Sequence, residues 1–192
     1  MKILILSPYP ENLLDPLEGH GDTYIVNKEK IDLSFCKQKR IEFIISYGYR
    51  YRITKDILDF LPGKVINLHI SYLPYSRGAH PVFWSIYESS ITGVSIHLVD
   101  EGFDTGNILF QKEVDYSREE DTFLSIYKKM QFEIEKLFRM NWKYLRNSQN
   151  NGWPQQGEST SHNKYEIEEM KKYLPKMWET TIKEFFDLVD KI

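Results

Sequence analysis

Cysteine is nearly missing from this chain: Cys36 is the single one in 192 residues. One thiol closes no disulfide and builds no cysteine-rich metal site within one chain, and it suits a reducing compartment. An excess of positive charge is missing too. Lys and Arg number 25 against 28 Asp and Glu, a formal net charge of -3. The basic footprint that draws a protein to nucleic acid is therefore not present. Long apolar runs are also lacking. The opening run Ile3-Leu4-Ile5-Leu6 stops at Ser7-Pro8, too short for a secretory core or a bilayer span. No internal repeat is visible. Together these absences lead us to expect a cytoplasmic protein with no membrane or nucleic-acid partner.

What is there points to a packed core. Hydrophobic residues make up 41% and aromatic residues 15% of the chain, a composition that buries surface rather than staying unfolded. The length allows one domain with a short appendage. Ile3 to Leu6 reads as a buried first strand, closed by Ser7-Pro8-Tyr9-Pro10. Asp22 to Asn27 is a weaker strand. Ile31 to Lys39 reads as a helix with Ile31, Phe35 and Cys36 turned inward. Glu42 to Ser46 is a second buried strand, ending at Tyr47-Gly48. Thr54 to Leu61 is a helix capped by Thr54 and stopped by Pro62-Gly63.

Val65 to Ser71 alternates apolar and polar residues and reads as a strand. His80 to Tyr87 is a short helix. Val94 to Val99 is a strand, and Ile108 to Val114 an edge or hairpin strand. Thr122 to Leu145 is a long amphipathic helix, with Phe123, Ile126, Tyr127, Met130, Ile134, Leu137, Phe138 and Met140 at helical spacing. From Asn147 to Lys164 the composition turns to Asn, Gln, Gly and Ser, which predicts a surface loop. Tyr165 to Tyr173 and Trp178 to Val189 read as terminal helices. This alternation predicts an α/β fold with a doubly wound, Rossmann-like, mostly parallel sheet. Residues 1–147 would form the catalytic domain, and 148–192 a loop and short helical extension packed on it.

Asn67 and His69 are two apart on a predicted strand, so both side chains share one face. They sit near the strand's C-terminal end, where open α/β sheets place ligands. An amide donates to the oxyanion of a tetrahedral intermediate. An imidazole donates to it as well, or accepts a proton from an attacking amine. Asp104 lies between Gly102 and Gly106, in a loop free to bring a carboxylate against His69. Ser71, Arg77, Gly78 and His80 would border the same cleft. Each signal is weak alone. Asn-x-His also occurs as plain strand structure, and Asp-Thr-Gly as an ordinary turn or, on an all-β fold, in aspartic proteases. Their order on successive strand ends raises their weight.

Asn67-Leu68-His69-Ile70-Ser71-Tyr72-Leu73-Pro74, followed by Arg77-Gly78-Ala79, resembles the Asn-x-His-x-Ser-x-Leu-Pro…Arg-Gly segment of folate-dependent formyltransferases. Gly93 to Asp100 with Gly102-Phe103-Asp104-Thr105-Gly106 is similar to that family's second block. The resemblance runs from Ile45 to about Gln111. It implies a catalytic set of Asn67, His69 and Asp104, with 10-formyltetrahydrofolate as co-substrate and no metal. It implies a folate pocket from Tyr47, Gly48, Tyr49, Arg50, Tyr51 and Arg52 together with Asp100, Glu101, Gly102 and Phe103. His97 would support the site from behind. Ser71, Tyr75, Arg77, Gly78 and His80 would meet the acceptor, with Arg77 a contact for phosphate or a plain salt bridge.

Within that family, the loop Ser7-Pro8-Tyr9-Pro10-Glu11-Asn12 loses backbone donors at its prolines. That argues against a phosphate cradle of the kind used for glycinamide ribonucleotide. Pro154-Gln155-Gln156-Gly157-Glu158-Ser159-Thr160-Ser161-His162 resembles the Gln-x-Gly…Thr-Tyr stretch of small sugar N-formyltransferases. The tyrosine of that stretch has no clear counterpart, and His162 stands without an assigned role. The resemblance thus implies transfer to the amine of a nucleotide-linked amino sugar, of the kind found in surface or flagellar glycans. A base platform could come from Trp153, Tyr75 or Phe83. Other readings are transfer to another small amine, formate release from the same folate, or a folate-binding module without activity. A homodimer through the terminal helices or the strand near Ile108 is a further expectation.

Overall fold

The structure is a computed structural model that describes residues 1–147 and 151–190. The chain opens with β1 (Lys2–Leu6), whose unbroken apolar run is buried on both faces. A 3-10 turn at Glu11–Leu13 and α1 (Leu14–Glu18) lead to β2 (Thr23–Asn27). Helix α2 (Leu33–Lys39) starts where the Asp32 carboxylate accepts from the Phe35 N–H at 2.7 Å, and ends at Arg40 in the left-handed region. Next come β3 (Phe43–Tyr47), α3 (Lys55–Phe60) and β4 (Val65–His69). A two-residue strand, β5 (Arg77–Gly78), precedes α4 (Pro81–Tyr87), which starts on a proline whose missing N–H costs nothing there. β6 (Gly93–Leu98), β7 (Ile108–Glu113) and α5 (Phe123–Leu145) follow. The described chain closes with β8 (Ser161–His162), α6 (Ile167–Met170) and α7 (Ile182–Val189), with two short 3-10 turns between these helices.

Among the described residues, six strands form one sheet in the order β2-β1-β3-β4-β6-β7. The first four pair in parallel, and β6 and β7 run antiparallel to their neighbours. This is the α/β architecture expected, with the edge hairpin at Ile108 in place. Alternate residues feed two cores. Ile3, Ile5, Ile45, Ile66, Leu68 and Ile96 face α5, α4 and α7. Leu4, Leu6, Ile44 and Val65 face α2 and α3.

Helix α5 is held by a capping box, in which Thr122 accepts from the Ser125 N–H at 3.1 Å and Ser125 from the Thr122 N–H at 3.0 Å. Phe123, Ile126, Met130, Ile134, Phe138 and Trp142 form its buried stripe. Met140, read as inward, is 68% exposed. The stripe advances by threes and fours to residue 142, and position 140 falls on the far side. Trp142 takes the inward place and donates to the Asp22 carboxylate at 3.0 Å.

Over its described part the stretch from Asn147 to Lys164 is the exposed, largely irregular segment predicted, but it is pinned to the rest of the fold at two points. The Trp153 N–H and C=O bond the Ile108 backbone at 3.0 and 2.9 Å. β8 pairs with β5 in parallel. Composition marked the segment as irregular, and pairing with distant strands gives it order. The expected division between 147 and 148 touches residues 148–150, which lie outside the described residues.

Candidate functional site

Past α3, the sheet face that carries Asn67, His69, Ser95 and His97 has loops over it instead of a helix. The turn after β4 seats there through Leu73 N–H to Ser95 Oγ at 3.1 Å and Ser95 Oγ to the Ser71 carbonyl at 2.7 Å. Gln111 donates to the Leu73 carbonyl at 2.7 Å. The loop after β6 turns back over the strand ends and sets down Asp104, whose φ is 54°.

Three predicted residues meet there. The Asn67 amide donates to Asp104 Oδ1 at 3.0 Å. His69 Nδ1 lies 3.6 Å from Asp104 Oδ2. The Gly78 N–H donates to Asp104 Oδ2 at 2.9 Å. Behind them His97 presents Nε2 at 3.2 Å from the Asn67 amide nitrogen and 3.3 Å from Asp104 Oδ1, while its Nδ1 is held 2.7 Å from the Leu98 carbonyl. Bare, that Nε2 accepts from Asn67; protonated, it donates to Asp104.

The electrostatics separate the two ionisable partners. Burial lowers the pKa of His69 below its ordinary value, with Asp104 opposing and His97 adding to the effect. Burial pushes Asp104 the other way, towards the neutral acid, but His69, His97 and the Gly78 N–H outweigh it and hold the carboxyl well below its usual range. A neutral His69 lends no charge, so its share in that depression is small near neutrality. The donors from Gly78 and Asn67 do not titrate there, and they keep Asp104 ionised.

The residues border a cavity of about 290 Å³ that also takes in Tyr9, Tyr47, Gly48, Tyr49, Tyr127 and Gln131. Gly48 has φ 66°, and a Cβ there would sit 2.7 Å from the Tyr9 hydroxyl. The Tyr9 and Tyr47 rings meet edge-on, with centroids 5.2 Å apart. Tyr47 donates to Glu135 at 3.1 Å. A second, more apolar cavity of about 230 Å³ adjoins it through Ile70, His80, Pro81 and Tyr127, and is backed by Phe83, Phe123 and Trp178. Among the described residues no His, Cys, Asp and Glu group is arranged to hold a metal ion, and no helix is long and apolar enough to cross a membrane.

Residues 27–140 match the formyl transferase family. That is more than half of the chain and includes Asn67, His69 and Asp104. The chain belongs to the formyl transferase family. Beyond the family match, it is 39% identical to the formyltransferase PseJ from Anoxybacillus kamchatkensis, a structure in complex with UDP-4,6-dideoxy-4-formamido-L-AltNAc and tetrahydrofolate. That superposition has a TM-score of 0.91 and covers 96% of this chain and 97% of the other. A sugar N-formyltransferase from a Shewanella species shares the fold at 21% identity and TM-score 0.73, over 88% of this chain and 79% of its own. The methionyl-tRNA formyltransferase of Thermodesulfovibrio yellowstonii is 43% identical over 81 residues, 42% of this chain and 26% of that protein. The chain thus spans about a quarter of that curated relative.

In this family member two groups of the other predicted residues border the site, and Ser71 and Arg77 stand apart from both. Tyr47, Gly48, Tyr49, Gly78 and His80 line the cavity. Arg50, Tyr51, Arg52 and the stretch from Asp100 to Phe103 are exposed beside it. Arg52 reaches across to donate to the Glu101 carbonyl, and its guanidinium lies 5.4 Å from the Phe103 ring centre, so these two loops meet. Ser71 is buried and donates to the Tyr75 carbonyl at 2.9 Å. Arg77, expected against phosphate or in a salt bridge, donates instead to Gln155 Oε1 from Nε at 3.1 Å and Nη2 at 2.6 Å. Of the suggested base platforms, Phe83 is packed in the core and Trp153 is half exposed.

Sequence reasoning missed Tyr9, Gln131 and Gln155. Tyr9 had a signal, since it follows β1 where ligands gather in such folds. Gln131 lies four residues after Tyr127, a polar side chain beside an apolar stripe. Gln155 stood in the Gln-x-Gly stretch already singled out, but nothing local gave its role, because its partners are about fifty residues or more away in sequence.

Proposed function

We propose that this chain transfers the formyl group of 10-formyltetrahydrofolate to the primary amine of a nucleotide-linked amino sugar. The observation that carries the reading is the convergence of Asn67, His69 and Asp104 at one cavity. An amide donor, a neutral imidazole and a fixed carboxylate are what acyl transfer to an amine needs. The amine attacks the formyl carbon, and a C–N bond forms. The Asn67 N–H donates to the oxyanion that develops. His69, kept neutral by burial, takes the proton that the amine sheds. The Asp104 carboxylate stabilises the imidazolium. That proton then passes to the folate nitrogen as its bond to carbon breaks. Holding both reactants in one cleft supplies much of the acceleration.

The folate would lie against the backbone of residues 47–52 and the loop of residues 100–103. The acceptor would lie on the side of Tyr9, Tyr127 and Gln131. Aromatic rings beside an amide suit a sugar, whose C–H faces pack on rings while its hydroxyls bond to polar tips. The relative from Anoxybacillus kamchatkensis, similar over nearly the whole length, is complexed with a UDP-linked formamido sugar and tetrahydrofolate. The likeness to methionyl-tRNA formyltransferase covers less than half of the chain, and the net charge of -3 does not favour RNA.

The test is a panel of nucleotide-linked amino sugars, with methionyl-tRNA and glycinamide ribonucleotide alongside, each incubated with 10-formyltetrahydrofolate. A mass gain of one formyl group on an amino sugar is expected. Formylation confined to methionyl-tRNA would overturn the reading, as would formate release that proceeds equally without any amine.

A further inference from the structure

The segment after the long helix contains a glutamine with an unusual set of partners. Gln155 Nε2 donates to the Asp104 carbonyl at 2.8 Å and to the Gly106 carbonyl at 2.9 Å. Its Oε1 accepts both bonds from Arg77. One side chain thus ties the loop of the catalytic carboxylate to β5, the strand whose Gly78 N–H donates to that carboxylate. The backbone shows what the tie acts on. Asp104 has φ 54°, in the left-handed region that residues with a Cβ adopt uncommonly, aspartate more readily than most, so the tie adds to a conformation that its loop already permits. Two carbonyls pinned two residues apart leave the peptides around Thr105 little freedom to swing. Gly78 is fixed from its other side by β8, since a Cβ on it would strike the His162 carbonyl oxygen.

We propose that Gln155 is a positioning residue, which holds the Asp104 carboxylate against Asn67 and His69 by clamping the Asp104 backbone to Arg77. The proposal rests on the formyl-transfer reading for its effect on rate, but not for its effect on geometry. If the clamp opens, Asp104 rotates towards ordinary backbone conformations and its carboxylate leaves His69. The groups that face the His69 ring are Asp104, His97 and the Ser76 carbonyl, 3.2 Å from Nε2. Of these only Asp104 favours the imidazolium by charge. Its departure therefore moves the titration of His69 to lower pH.

Gln155→Met keeps the length of the side chain and removes all four bonds without adding charge. Gln155→Glu keeps an acceptor for Arg77 and removes both donors. In the Met variant, the His69 ring signals in an NMR titration are expected to move down by about one pH unit. Turnover is expected to fall roughly 10- to 100-fold, with KM for the folate nearly unchanged. If the Met variant does not fold, the Glu variant carries the test, with the same loss of turnover and a melting temperature near that of the parent. An unmoved His69 titration with turnover within about twofold of the parent overturns the proposal. A shifted His69 in a protein that formylates no acceptor sustains the clamp and rejects the functional reading instead.

Discussion

Two N–H donors and two imidazoles surround Asp104, whereas His69 is buried and loses the solvation that a cation needs. Charge is therefore favoured on the first residue and disfavoured on the second. A histidine with a lowered pKa stays neutral in the fold while its unfolded counterpart charges below about pH 6.5. Its stabilising share is present above that value and is lost as pH falls through it. The rate should follow the same residue, with an acid limb whose midpoint lies below about 6.5, since Asp104 stays ionised throughout that range. A rate–pH profile with the limb above 7 would contradict this assignment. Asn67→Ala and His69→Ala should each raise the barrier to transfer by about 2–4 kcal/mol. Steady-state kinetics on folded variants check this, and near parental turnover in His69→Ala would remove His69 from the reaction.

At the scale of elements, α5 and the segment after it divide the work. The helix supports the sheet from one face through its buried stripe and turns Tyr127 and Gln131 to the cavity. Ile134 is fully buried, so Ile134→Ala should cost about 2–5 kcal/mol in denaturant unfolding, by lost burial and a residual cavity. Met140→Gln on the exposed side should change stability by less than about 0.5 kcal/mol. Equal losses at both positions would mean that the stripe is misplaced. The helical period was legible because every inward position repeats by threes and fours. The single error, Met140, arose because apolar character alone does not tell a wide stripe from an exposed methionine.

For the molecule as a whole, one buried carboxylate joins the first strand to the end of the long helix. Asp22, with its side chain sealed from solvent, accepts from the N-terminal amine at 2.8 Å, from Trp142 at 3.0 Å and from Arg146 at 2.6 Å. Burial raises its pKa, but Arg146, the terminal amine and Trp142 outweigh that and lower it. Its contribution is thus full above about pH 4 and is lost as pH falls below it. Asp22→Ala should destabilise the fold by about 3–5 kcal/mol, because it leaves Arg146 and the Trp142 N–H without their partner. Thermal melting above pH 5 checks it, and a loss under about 1 kcal/mol would show that the cluster is replaceable.

The fold class, the main strands and longer helices, and the shared face of Asn67 and His69 were determined by the sequence alone, while the short α1, β5 and β8 were not. Periods of two and 3.6, and the stops at proline and glycine, are local properties, and local properties survive without coordinates. Asp104 was legible as a candidate because glycines flank it. Only the tertiary structure decided that its carboxylate meets both partners, that Arg77 serves Gln155, and that residues 153–162 brace the site. Those contacts join residues from about thirty to more than eighty positions apart in the chain. They depend on how the sheet twists and where each loop lands, and no short stretch of sequence encodes that.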